Sequence, residues 1–348
     1  MKEQNKMIWR LSRLAATLML FMFAVATLFF SKVHMASAAD SRPFRIYMIT
    51  WRGLTDVERG FQNYMTEKNI KVEYIMRDAS KDQTKLPGFV EEIRRIKPDL
   101  IYTWGTPVTL GIAGSLKDRD NGKFINNIPV VFTLVADPVG VNLVPDLSSS
   151  SRNITGVYHM ASAESVISGI KSYHNFSKLG MLYNSKEKNS VAYVNGVRKL
   201  EEKMGFKLIE QKYKVGADGN PTSEGVLDLL RNLKQSGAEW LLIGPDTYSA
   251  TISEILGTAM REINIPAFVT TESAISWPTV IVAGLFCKYY SIGQFTAYKA
   301  EQILVNKRHA STIPVETLKR FSYSIRMDVA RQLKLYPPVS MFNYAEIL

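Results

Sequence analysis

A single cysteine, Cys287, occurs in 348 residues, and it sits in the apolar run VIVAGLFC. That count excludes an intramolecular disulfide and any multi-cysteine zinc or iron–sulfur site. A lone thiol among aliphatic residues reads as buried rather than nucleophilic. Histidine is also scarce, with four in the chain, one of them His34, and none has the His–Glu spacing of a metal hydrolase. Phosphate-loop and dinucleotide glycine patterns do not occur, and GIAGSLK lacks the final glycine of a nucleophile elbow. SGIK and SKEK match Ser-x-x-Lys but have no companion motifs. No catalytic residue, resident metal or cofactor is therefore expected, and an enzyme is the disfavoured class.

What the chain does have begins at its N-terminus. Lys2, Lys6, Arg10 and Arg13 precede an apolar run from Leu14 to Phe30, and a polar stretch then ends in Ala36-Ser37-Ala38. This is the layout of a secretory signal peptide over residues 1–38, which places the protein in the periplasm after cleavage. The run of 17 apolar residues is also near the lower limit for a membrane span, so an uncleaved anchor is the alternative. No cysteine follows the run to carry a lipid. The formal net charge of +11 lies partly in this segment. The remaining positive charges are scattered, without the basic-aromatic stretch that grips nucleic acid.

From residue 44 extended apolar runs alternate with helical ones. FRIYMIT, KVEYIMR, DLIYTW and IPVVFTLV read as strands, with helices from Thr55, up to Lys97 and from Pro107 between them. Thr55-Asp56-Val57-Glu58 has the capping-box pattern. The pattern then restarts: KLGMLYN, a helix through SVAYVNGVRKLEEKMG closed by Gly205, FKLIEQKYK, a helix from Pro221, EWLLIGP, a helix through SATISEILGTAMREI, and IPAFVTT. The expected fold is α/β, two Rossmann-like lobes with parallel sheets joined by crossing segments. Residues 39–157 plus 284–313 form the first lobe in this reading, and 158–283 plus 314–348 the second. KYYSIGQFTAYKAEQILVNK makes the returning helix, and another strand begins at Ile313-Pro314. Two lobes that share several crossings enclose a hinged cleft.

In parallel sheets ligands gather beyond the carboxyl ends of the strands, so the loops TWRGL, WGTPV and VADPV face YNSKEKNS, GPDTYS and TTESAIS. Gly105-Thr106-Pro107 reads as a strand-to-helix turn, with Thr106 the N-cap and Pro107 at the first helical position. Such a helix end either attracts an anion or is simply a capped helix. Trp51, Trp104 and Tyr248 either stack on a flat ligand or pack on neighbouring helices. Asp137 and Asp246 either cap turns or take a ligand ammonium. Arg52 is a carboxylate partner or a solvated cation, and Glu272 in TTESAIS is a further candidate ligand-binding residue.

The segments YTWGTPVTLGIAG, NNIPVVFTLVADPVGVNLVPDL and RNITGVYHM resemble the ABC-transporter substrate-binding proteins of the tryptophan/tyrosine-type family. GMLYNSKEKNSVAYVNGVRKLEEKMG, PDTYSATI and YYSIGQFTAYKAEQIL extend the resemblance over most of the chain. It implies a type I periplasmic binding protein fold and a small-molecule ligand, an amino acid or related organic anion, passed to an ABC permease. It further implies that the Gly105-Thr106-Pro107 turn holds a carboxylate, that Asp137 lines the first lobe, and that Asn184 and Asp246 face from the second. Trp51-Arg52 stands where relatives often show His-Pro, Val280-Ile281 replaces Gly-Ala, and Lys288 replaces an Asp before the paired tyrosines. The expectation is a monomeric periplasmic solute receptor without nucleic-acid partners. A ligand-sensing module with an uncleaved anchor is the competing class.

Overall fold

The computed structural model describes residues 42–277 and 279–348; the expected export signal, residues 1–38, lies outside them. From Phe44 onward, strands followed by amphipathic helices build a five-stranded parallel sheet. β1 (Phe44–Thr50), β2 (Val72–Asp78), β3 (Leu100–Trp104), β4 (Val130–Val135) and β5 (Ile154–Tyr158) lie in the order β2-β1-β3-β4-β5. Every residue of β3 and β4 is buried, as expected of central parallel strands covered on both faces. The helices of this part are α1 (Asp56–Glu67), α2 (Leu86–Ile96) and α3 (Gly105–Ala113). α1 starts with the expected capping box, Thr55 with Glu58.

A second, seven-stranded sheet uses β6 (Lys178–Tyr183), β7 (Lys207–Lys212), β10 (Trp240–Ile243), β11 (Ala267–Val269), β12 (Ile281–Phe286), β13 (Ser322–Ile325) and β14 (Glu346–Ile347). β8 (Lys214–Val215) and β9 (Pro221–Thr222) pair separately. The order is β14-β13-β12-β11-β10-β6-β7, and β13 runs antiparallel to β12 where an all-parallel sheet was expected. Around it lie α4 (Ala163–Tyr173), α5 (Lys188–Arg198), α6 (Glu201–Met204), α7 (Val226–Gln235), α8 (Thr247–Thr251), α9 (Ser253–Ile263) and α11 (Met327–Gln332), while α10 (Tyr289–Leu304) packs on the first sheet.

Several local expectations change. The helix expected from Pro221 starts at Val226, because Pro221–Thr222 pairs with β8 and Gly225 then turns the chain at φ +72°. The helices read through SVAYVNGVRKLEEKMG and SATISEILGTAMREI are each broken in two. Gly205, at φ +61°, does close the first of them. The strand expected at Ile313-Pro314 is reduced to one bridge, Glu316 to Val157; the ladder strand is β13. Pro314 has no N–H to add to a ladder, and its carbonyl accepts from the buried Lys299 ammonium, which also pairs with Glu316 at 2.7 Å.

After β12, the chain returns to the first sheet. Ile292, Ala297, Ala300, Leu304, Ile313 and Val315 join the core built on Tyr47, Tyr102 and Phe132. α10 packs on α1 at backbone distance. A Cβ on Gly60 would collide with the Tyr290 carbonyl, and one on Gly293 with the Val57 carbonyl.

Candidate functional site

β3 ends at Trp104, and the helix begins one residue later. Trp104 is the N-cap, so Thr106 is not, and Pro107 sits inside the first turn rather than at its first position. The reason is Gly105: its φ of +78° makes the turn by itself, a conformation that a side chain would strain. Thr106 Oγ1 instead accepts from the Ala136 amide at 3.4 Å. No side chain caps α3, so its N-terminal dipole faces the cleft. Beside it, β4 carries a bulge: its register against β5 shifts between Thr133 and Val135, and Leu134 takes φ +53°. Bulges of this kind re-aim side chains near sites, and Leu134 lines the cleft.

Between the two sheets' loops lies a cavity of ≈ 70 Å³, room for roughly five to seven waters and so for one amino-acid-sized molecule. Its first wall is cationic. The Arg52 guanidinium lies 5.0 Å from the centre of the Trp104 ring, and Lys81 stands nearby. Arg52 makes no ion pair among the described residues. The α3 N-terminus, with Gly105 and Thr106, completes this wall, and Trp51 closes it.

The opposite wall is acidic. Asp246, 8% exposed, caps α8: its carboxylate accepts from the Ser249 amide at 2.7 Å, the Asn184 amide at 2.6 Å and the Ser190 hydroxyl at 2.6 Å. Behind it, Glu187 accepts from the Thr247 amide and hydroxyl and from Asn189 Nδ2. Burial, and then the charge of Asp246, push the Glu187 carboxyl up to about 7.

The cavity also collects polar atoms with no hydrogen-bond partner among the described residues: Trp104 Nε1, His159 Nδ1 and Asn189 Oδ1, all on buried side chains that line it. Burial drives His159 down to about 4, against a weaker opposing hydrogen bond that its ring N–H donates to the Val135 backbone carbonyl. It is therefore a neutral imidazole at pH 7. Such atoms are costly to leave unsatisfied.

Of the ten expected ligand residues, Trp51, Arg52, Trp104, Gly105, Thr106 and Asp246 line this cavity, and four do not. Asp137 accepts from the Gly140 amide at 2.8 Å in a tight turn and faces an adjoining cavity. Asn184 lies behind Asp246, and its side chain accepts from the Lys186 amide. Tyr248 packs edge-on against Tyr213, with ring centres 5.0 Å apart. Glu272 accepts from the Tyr289 amide at the start of α10. Sequence reasoning missed Lys81, His159, Asn189, Trp277 and Tyr289 in the lining. Asn189 was within the loop YNSKEKNS and Tyr289 begins the returning helix; only Asn184 in that loop was singled out. Cys287 is buried, its thiol pushed up to about 11, in keeping with an inert core residue.

Residues 46–346 match the family model described as ABC transporter substrate binding protein. The chain is 22% identical over 289 residues to a protein of Clostridioides difficile named tyrosine-binding protein, covering 81% of this chain and 77% of that one. Among solved structures, a conserved domain protein from Vibrio cholerae aligns at TM-score 0.75 and 21% identity, covering 88% of this chain and 99% of that one. A Streptococcus pneumoniae ABC domain in complex with L-Trp aligns at TM-score 0.75 and 19% identity, covering 88% and 100%. The type I periplasmic binding fold expected from the sequence is the fold found. With nearly the whole described chain inside the family match, and a cleft built from paired strand-end loops, this protein belongs to the ABC transporter substrate-binding proteins.

Proposed function

We propose that the protein is a periplasmic receptor that binds an α-amino acid and delivers it, as a monomer, to an ABC permease. One observation carries the reading: the cavity sets Arg52, Lys81 and the α3 N-terminus against Asp246. A zwitterion matches that polarity, its carboxylate on the cationic wall and its ammonium on Asp246. Trp51, Trp104, Trp277 and Tyr289 line the same space and suit an aromatic side chain, as do the names of the tyrosine- and tryptophan-binding relatives. No step in this role calls for a catalytic group.

Mass spectrometry of small molecules released from denatured, freshly purified protein tests the ligand class, and calorimetry with L-tyrosine and L-tryptophan tests its chemistry. Asp246→Asn keeps an effective helix cap while removing the charge. It should weaken amino-acid binding about 30-fold or more, the cost of unpairing a buried charge, and lower the melting temperature somewhat, because the Asn amide nitrogen cannot accept from the Asn184 amide as the carboxylate does. A loss under about threefold would make Asp246 a cap and nothing else. Recovery of intact protein in the membrane fraction, with residues 1–38 retained, would favour the anchored sensor instead.

A further inference from the structure

Glu187 does not line the cavity, yet the two residues it holds do. Asn189 is 4% exposed, and its amide nitrogen donates to Glu187 Oε1 at 2.9 Å and to the Pro245 carbonyl at 2.6 Å. Both its N–H bonds are engaged, so the amide cannot turn over without losing two acceptors. Its other end, Oδ1, lines the cavity unpartnered. Thr247 gives both its amide and its hydroxyl hydrogen to Glu187, which leaves only lone pairs for anything beside it. With the Asp246 carboxylate adjacent and Glu187 ionised, this wall of Asn189, Asp246 and Thr247 offers acceptors and no donor.

We propose that Glu187 is a positioning residue whose hydrogen bonds to Asn189 and Thr247 make this wall acceptor-only, so that the site selects ligands bearing a primary ammonium over their deaminated analogues. The inference rests on the amino-acid reading above. An ammonium supplies three N–H donors to such a wall, whereas a methylene in its place leaves Asn189 Oδ1 and Asp246 unsatisfied, which is the strong form of rejection. A proton balance follows. Asp246 is the titratable group facing Glu187; Lys186 and Lys188 flank it but are exposed, and Arg52 and His159 face the cavity from the other sheet. Burial and the Asp246 charge make the Glu187 carboxyl hold its proton to higher pH than an ordinary carboxylate, and an arriving positive charge favours its ionised form. Binding therefore transfers a proton from Glu187 to the buffer, and affinity rises from pH 6 to pH 8.

Calorimetry with L-tyrosine and with 3-(4-hydroxyphenyl)propanoate, at pH 6, 7 and 8 in two buffers of different ionisation enthalpy, reads both effects. Wild type should prefer L-tyrosine by at least about 30-fold and release protons at pH 7. Glu187→Gln should bind L-tyrosine about tenfold more weakly, halve the logarithm of the selectivity or worse, and release no proton. Asn189→Ala, a second variant should the first not fold, should lose the same selectivity while still releasing the proton. Wild-type selectivity in Asn189→Ala, or wild-type selectivity and proton release in Glu187→Gln, overturns the inference. Failure of the wild type itself to bind L-tyrosine or any of the other amino acids overturns the amino-acid reading and this inference with it, and is told apart because it needs no variant.

Discussion

His159 is buried beside the cleft and stays neutral in the folded protein down to about pH 4, against an ordinary value near 6.5. Between those values the unfolded chain binds the proton and the folded one does not, so folding loses stability as pH falls through that window. The loss approaches about 3 kcal/mol at pH 4. Glu187 and Glu58, both raised by burial, act in the opposite direction at their own pH values, so the wild-type curve alone hides the effect. The difference in urea unfolding free energy between wild type and His159→Asn should therefore shift against wild type by up to about 3 kcal/mol from pH 6.5 to pH 4. A difference that stays constant over that range would mean His159 titrates normally. The same residue shows what the sequence concealed. His159 lies in RNITGVYHM, and nothing in that string says that its imidazole reaches a cleft lined by the loop after β1 and the start of α8. Asp246 and Thr106 were legible because a residue just past a strand end has a place fixed by the fold class. Asn189 was not, because its role depends on which end of its amide Glu187 holds.

Two helical glycines should respond in opposite ways to the same change. Gly293 in α10 touches the α1 backbone, and a methyl there collides with the Val57 carbonyl, so Gly293→Ala should cost about 1–3 kcal/mol or more despite alanine's better helix propensity. Gly196 in α5 has nothing within 4 Å of the added carbon, so Gly196→Ala should stabilise by about 0.5–1 kcal/mol. Denaturant midpoints of both variants settle the pair; a stabilised Gly293→Ala would mean that the helices are not in backbone contact. At this scale the strands were the legible part, since continuous apolar runs bounded by turn residues specify buried parallel strands. Helix starts were less so. Pro107 and Pro221 both read as first-turn residues, yet Gly105 begins one helix earlier and Gly225 delays the other, each through a positive φ that no side-chain preference announces. The antiparallel direction of β13 depends on how the chain returns after α10, a long-range choice with no local code.

For the whole molecule, the repeated strand-helix pattern made the two-sheet architecture readable, because each sheet needs its own buried strands and covering helices. The positions of the crossings were read less closely: β12 remains in the second sheet through Phe286, past the expected change at 283/284. The return of α10 to α1 has a consequence in time. Ribosomes deliver the five strands of the first sheet by Tyr158, but the core on which that sheet rests still lacks Ile292, Ala297, Ala300, Leu304, Ile313 and Val315. Nascent chains of this protein therefore remain unable to complete their first half until almost the last residues have been made, and early folding is forestalled by topology. Stalled chains ending at residue 283 should be protease-sensitive across 44–158, while chains extended to 348 become resistant. Were the chain exported, as proposed, through a channel that admits only unfolded polypeptide, the late-arriving helix would keep its first half threadable until that helix is made.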